Sequence, residues 1–240
     1  MKIINKTKSY LNLGRLYLAD QNAARLIIRI RENHLTFLDP IDLIDLYEET
    51  KRIEKERIPG IIIEAGVALG GSAIVITYTK KASRPIFLYD TFDMIPPPSP
   101  MDDYEAHERY HEIASGQAKG LKGDLYYGYQ PDLYNKVRSQ FLHFQLSIEE
   151  RQIHMVKGLF QDTLNVQKPV ALAHLDCDWY ESVMTCLKRI EPNLVLGGTM
   201  VINDYFDWSG CKRAVDEYFE NKKSQYKFIV KSRLHILRTS

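Results

Sequence analysis

The sequence predicts an α/β protein built on a doubly wound, mostly parallel sheet. Short apolar runs, Ile61-Ile62-Ile63, Ile86-Phe87-Leu88-Tyr89, Val170 to Leu175 and Thr199 to Ile202, alternate with segments of helical period. That alternation is the order of parallel strands joined by crossover helices. The runs lead into oxygen-bearing residues, Glu64, Asp90, Asp176 and Asn203-Asp204, and ligands in open α/β sheets sit beyond the carboxyl ends of strands. With 240 residues, 45% apolar and 26% charged, the chain has the composition of one large globular domain, and 1–240 reads as a single unit without repeats.

Residues 1–57 read as N-terminal helices. Leu16, Ala19, Ala23, Leu26, Ile27 and Ile30 recur at helical spacing through 16–32. Asp39-Pro40 offers an N-cap with proline in the first turn, and Ile41, Ile44 and Tyr47 follow on one face. These helices are expected over the sheet or at a subunit contact, which makes a homo-oligomer through them an expectation. Pro59-Gly60 breaks the pattern before the first strand, and a helix through Ile74, Val75 and Tyr78 leads to the second.

The segment 92–131 fits no periodic template. It holds Pro96, Pro97, Pro98 and Pro100, an acidic run at Asp102-Asp103, and Tyr126, Tyr127 and Tyr129. A loop of this length is usually functional or disordered; its aromatic content argues against full disorder, and it reads as a lid or acceptor-binding insertion. A helix at 133–141 and a strand at 153–156 follow. Beyond the 170–176 strand, a helix through Val183, Leu187 and Ile190 stops at Pro192. Gly197-Gly198 leads into the 199–204 strand, a helix spans 210–221, and strands near 226–231 and 234–238 complete the sheet, with an antiparallel C-terminal strand.

A net charge of +1 gives no overall field toward nucleic acid or acidic membranes. The basic stretch from Lys222 to Arg238 reads as the solvated face of closing strands. Three scattered cysteines, Cys177, Cys186 and Cys211, suit neither a disulfide framework nor a zinc site. No run is long enough to cross a bilayer and no apolar signal follows the first residues, so a cytoplasmic location is expected.

Three groups of residues carry chemistry. Glu64-Ala65-Gly66, then Gly70-Gly71-Ser72 opening a helix, forms a loop suited to a nucleotide-like ligand. The acidic residue favours an amino group over a diphosphate, and a purely conformational role for the glycines stays open. Asp90 closes the second strand, where a carboxylate can accept both hydroxyls of a ribose or serve as a turn cap. Asp176, Asn203 and Asp204 could place hard oxygens on one Mg²⁺, with Asp178 as general base. If the strand continued, Asp176 and Asp178 would share a face; a bend would give them separate targets. Capping of the following helices is the plainer alternative. His107 and His111 read as surface or lid residues and His174 as a hydrogen-bonded core residue. The tyrosines either stack on a sugar ring or pack the lid.

The combination resembles the macrocin O-methyltransferase family, which methylates sugar hydroxyls of antibiotics. The matching stretches are Ile58-Pro59-Gly60 through Ser72, Tyr89-Asp90-Thr91-Phe92, Lys157-Gly158 through Leu164, His174 through Ser182, Gly197-Gly198 through Tyr205, and Gly210-Cys211 through Asp216. The resemblance implies a class I S-adenosylmethionine (SAM) methyltransferase fold of Rossmann-like type and Mg²⁺-dependent O-methylation of a small glycoside or sugar. By position, Glu64, Gly66 and Ser72 would hold the methionine end, Asp90 and Thr91 the ribose, and the turn after Val156, up to Asp162, the adenine, with Gly70 and Gly158 also among the cofactor-binding residues. Asp176, which also borders the cofactor, would match a metal ligand along with Asn203 and Asp204, and Asp178 the base. The family commonly has two aspartates where this chain has Asn203-Asp204. A metal-dependent glycosyltransferase using Asp176-x-Asp178 and a non-catalytic SAM-binding protein are the competing expectations.

Overall fold

In the computed structural model the described residues are 2–240 for the backbone and 11–240 for side-chain surroundings. Seven strands form one sheet: β1 (Ile61–Ala65), β2 (Ile86–Asp90), β3 (Ile153–Lys157), β4 (Val170–Leu175), β5 (Leu194–Ile202), β6 (Tyr226–Val230) and β7 (Leu234–Arg238). Their order is β3-β2-β1-β4-β5-β7-β6. The first five are parallel, and β7 runs antiparallel to both β5 and β6. The chain turns from one half of the sheet to the other between β1 and β4. Every residue of β1 and β4 is buried, as expected of central strands covered on both faces.

One face is covered by α1 (Lys2–Ala19), α2 (Gln21–Glu32), α3 (Pro40–Lys55) and α4 (Gly71–Thr79), whose apolar residues share a core with Ile62, Leu172 and Val201. Also in sequence order come α5 (Tyr104–Ala114), α6 (Leu133–His143) and the single turn α7 (Phe160–Thr163). The other face packs against α8 (Tyr180–Ile190) and α9 (Ser209–Tyr218), joining Ile63, Ala173 and Met200 to Val183, Leu187, Ala214 and Val215. All three cysteines are free and buried on that side.

Three expectations change. The period running through 16–32 spans two helices, because the Asp20 side chain accepts the Ala23 N–H at 3.0 Å and starts α2 anew. The 92–131 segment contains α5, started by Asp103 accepting from Ala106 N at 3.0 Å. Only Ala106 and Ile113 of that helix are buried, too thin a stripe to register as a period. Gly197-Gly198 lies inside β5 rather than before it, at an irregularity where the pairing with β4 shifts register. Among the described residues no helix is long and apolar enough to cross a membrane.

Candidate active site

The parallel ladder runs one residue past each strand and aligns four chain ends. Gly66 N donates to Tyr89 O, Asp176 N to Ala65 O, Asn203 N to Leu175 O and Gly158 N to Asp90 O, each at 2.9 Å. Gly66 has φ +88°, and a Cβ there would come within 1.8 Å of Asp176 O. The glycine is therefore what lets the end of β1 lie against the end of β4.

Two cavities open over these ends. The larger, about 580 Å³, runs from Thr91 past Gly158, Leu159 and Gln161 to Ser182. The smaller, about 380 Å³, lies between Thr36 and Phe37 of the N-terminal part, Ser72, Tyr126 and Trp208. Gly66, Asp90, Tyr127, Asp176 and Asp178 border both. The two spaces thus meet over the carboxylates.

After Asp176 the chain bends. Asp178 sits at φ +54° in a turn closed by Trp179 N donating to Cys177 O at 2.7 Å. Aspartate tolerates this left-handed conformation better than most residues. The bend separates the partners of the two aspartates: Asp176 Oδ1 accepts from Asn203 Nδ2 at 2.6 Å, and Asp178 Oδ1 accepts from Trp208 Nε1 at 2.9 Å. Asp204 bridges them, taking Asn203 Nδ2 at 2.9 Å and the Asp178 backbone N–H at 3.1 Å. Burial, reinforced by the charge of Asp204, pushes the Asp176 and Asp178 carboxyls well above the usual range. Burial also raises Asp204, against the pull of its hydrogen-bond donors.

Asn203 gives its amide N–H groups to both carboxylates, which leaves its Oδ1 buried without a partner. Turning that amide over would set three hard oxygen donors, from Asp176, Asn203 and Asp204, side by side. Among the described residues, no group of three or more His, Cys, Asp or Glu side chains is arranged to hold a metal ion.

Other predicted site residues divide. Thr91 and Gly158 line the larger cavity, and Ser72 the smaller. Gly70 is the N-cap of α4 and borders neither. Asp162 is exposed on α7 while its neighbour Gln161 lines the cavity. Glu64 is fully buried behind the cavity wall, its Oε1 bonded to His174 Nδ1 at 2.9 Å and its Oε2 unpartnered. His174 is thus the core residue its apolar strand suggested. Asp90 faces the cavities with oxygens already engaged: Oδ2 accepts Val67 N at 2.6 Å and Ala68 N at 3.0 Å, and Oδ1 accepts Phe92 N at 2.7 Å. It fixes the amides of the glycine-rich loop as a turn cap, and its oxygens keep further acceptor capacity where Asp90 lines both cavities.

The tyrosines split as well. Tyr126 and Tyr127 face the smaller cavity, whereas the Tyr129 hydroxyl bonds Ile113 O and Ala118 N and packs the insertion to itself. His107 is half-buried and His111 exposed, both on α5 and away from the cavities. Sequence reasoning missed Trp208 and Arg233. Arg233 leaves the solvated face expected of its stretch: it donates to Asn203 O at 3.0 Å and pairs with Asp42 at 3.1 Å and with Asp207. It ties α3 to the site edge, and a basic residue beside a turn gives no signal of that.

A family model described as Macrocin-O-methyltransferase (TylF) matches residues 36–229. The demethyldecarbamoylnovobiocin O-methyltransferase of Streptomyces niveus is 28% identical over 173 residues, 67% of this chain and 58% of the relative. The mycinamicin III 3''-O-methyltransferase of Micromonospora griseorubida is 28% identical over 174 residues, 68% and 62% respectively. The chain therefore spans about three-fifths of the length of these relatives. In structure it is similar to the O-methyltransferase NovP, with a TM-score of 0.70 and 24% identity over 86% of this chain and 83% of that one. The calicheamicin methyltransferase CalS11 gives a TM-score of 0.63 at 16% identity over 98% and 92%. The fold is of the class I methyltransferase type.

Proposed function

Because the chain belongs to the macrocin-O-methyltransferase (TylF) family, we propose that it transfers a methyl group from SAM to a hydroxyl of a sugar or small glycoside, with Asp178 as base and a divalent cation of the Mg²⁺ type. One observation carries the reading: the two cavities share a wall made by Gly66, Asp90, Asp176 and Asp178, so that donor and acceptor could meet where the carboxylates lie.

The larger cavity suits the adenosine part, with Leu159 and Phe160 as its apolar side and Thr91 at the ribose. SAM supplies a sulfonium methyl that already carries its leaving group. The residues' task is then to orient the hydroxyl and remove its proton. Trp208 holds Oδ1 of Asp178, which leaves Oδ2 to take that proton. Phe37, Tyr126, Tyr127 and Trp208 wall the smaller cavity and offer aromatic faces to a sugar ring while excluding water.

The donor set fits a hard cation. Asp176 and Asp204 are carboxylates raised chiefly by burial, Asp176 also by its acidic neighbours, and the buried Oδ1 of Asn203 is a third oxygen without a partner. A cation held there would lower the proton affinity of an acceptor hydroxyl. The 92–131 insertion would cover the ligands, and Leu11 and Leu18, exposed on α1, would be the place for a homo-oligomer.

One observation favours a non-catalytic SAM-binding protein: the Asn203 amide already bridges the carboxylates that a metal would occupy. The two readings separate in one experiment. Titration calorimetry with SAM and with nucleotide sugars, with and without Mg²⁺, is paired with a labelled-methyl assay on a glycoside panel. We expect SAM to bind and transfer to stop on chelation. Tight SAM binding with no response to Mg²⁺ and no transfer would defeat the enzymatic reading.

A further inference from the structure

The proline-rich stretch from Pro96 to Asp103 is fastened to both turns that carry the carboxylate cluster. Trp179 Nε1 donates to Pro96 O at 2.9 Å, Tyr180 N to Asp102 Oδ1 at 2.8 Å, Arg213 Nη1 to Met101 O at 2.8 Å, and Ser209 Oγ to Asp103. Asp102 is buried, and its second oxygen takes the N–H of Ser99 at 2.8 Å and its hydroxyl at 2.9 Å. The same carboxylate fills the space beside Gly210, where a Cβ would lie 2.0 Å from Asp102 Oδ1. One side chain therefore spans the first turns of α8 and α9.

The residues just ahead of those turns are Asp178-Trp179 and Asp207-Trp208. Trp208 holds Asp178 Oδ1, and the two indoles meet edge to face with ring centroids 5.2 Å apart. Moving α8 relative to α9 would shift the donor away from the carboxylate it orients.

We propose that Asp102 is a positioning residue: it latches the 96–103 segment across α8 and α9 and thereby fixes the Asp178 carboxylate against Trp208. Its consequence for turnover rests on Asp178 being the base; the latch itself does not. The 92–131 insertion is then two parts. The 96–103 stretch is a strut of the site, and any cover that moves over ligands lies beyond it.

Trp179 and Trp208 are the only 2 tryptophans of the chain, so near-ultraviolet circular dichroism and indole emission report the latch directly. Asp102→Ala and Gly210→Ala, singly and together, should each alter the indole signals. Each should also lower kcat about ten-fold or more while KM for SAM stays within about two-fold. The double variant should be no worse than the worse single, because both break one contact. Asp102→Asn, which keeps an acceptor for Tyr180 N, should recover most of the rate. Wild-type indole signals in Asp102→Ala, or losses that multiply in the double variant, would overturn the latch. Altered indole signals with unchanged turnover would uphold the latch and remove Asp178 as base, so the two readings fail separately. Should Asp102→Ala not fold, Gly210→Ala and Asp102→Asn carry the same comparison.

Discussion

Two sets of buried carboxylates in this chain are governed by opposite balances. At the strand ends, Asp176, Asp178 and Asp204 are all pushed above the usual range, by burial first and, for Asp176 and Asp178, by Asp204 next. Glu191 and Glu49, at 6% and 4% exposure, also have little contact with solvent, though less of the protein surrounds them than surrounds Asp204, and both are held below the usual range. Burial pushes these glutamates up as well. At Glu191, hydrogen bonds from Lys222, Tyr226 and Tyr218 outweigh it; at Glu49, Arg52, Thr199 and Lys231 do. Low exposure alone therefore does not decide the direction; the depth of packing and the partners do so together. The glutamates are matched within the chain, whereas the aspartates crowd together beside a cavity. Carboxylates left in that state are what the proposed cation, or a proton, would neutralise.

The largest effect should come from the unmatched set. Asp178→Asn keeps an oxygen for Trp208 Nε1 but cannot take a proton, and turnover should fall about 10²–10⁴-fold. SAM affinity measured by calorimetry should stay within a few-fold. Near-normal turnover would return Asp178 to the ranks of structural acids.

In the matched set the loss should be of stability. Glu191→Ala strands the Tyr218 hydroxyl and the Lys222 ammonium, each 2.7 Å from Oε2, and the Tyr226 hydroxyl. Denaturant unfolding should show a loss of about 2–3 kcal/mol, the range for hydrogen bonds to a charged group. Since the folded Glu191 carboxyl is held low, its contribution is present above the ordinary carboxylate range and vanishes as pH falls through the lowered value. The gap between the variant and the wild type should narrow in acid.

A smaller, pH-dependent effect belongs to His235. It is buried beside Glu49, with Nδ1 3.8 Å from Oε2 and neither ring nitrogen hydrogen-bonded. Burial chiefly lowers its pKa, to about 4. A depressed histidine pKa contributes stability above the unfolded value, near ~6.5, and loses it as pH falls toward the folded one. Between about pH 7 and 5 the protein should lose about 2 kcal/mol from this residue. His235→Leu should flatten that slope in thermal melts; an unchanged slope would assign it elsewhere.

The sequence announced the sheet, and pointed to the place of the candidate site, because both readings rest on period and on strand-end residues. Buried runs such as Val170–Leu175 have no competing reading at that length. What remained hidden depended on backbone groups that no side chain advertises. The amides of Val67, Ala68 and Phe92 bond the Asp90 oxygens, and a turn centred on Asp178 sends it to Trp208. Glu64 was visible as a strand-end acid, but its depth behind Gly66 follows only from how closely β1 and β4 approach.

The finest test of the contrast is Asp204→Asn, a change that removes one negative charge and keeps nearly the same shape. If the strand-end carboxylates are held together against their own repulsion, the metal-free variant should be the more stable protein, by about 1 kcal/mol. A matched acid would give the opposite sign, because its cation would be stranded. Adding Mg²⁺ should then raise the melting temperature of the wild type more than that of the variant, since only ligand bound to the native state stabilises it. Melting curves of both proteins with and without Mg²⁺ decide this. A variant less stable without the ion, or equal gains with it, would place Asp204 beside Glu191 as a structural acid.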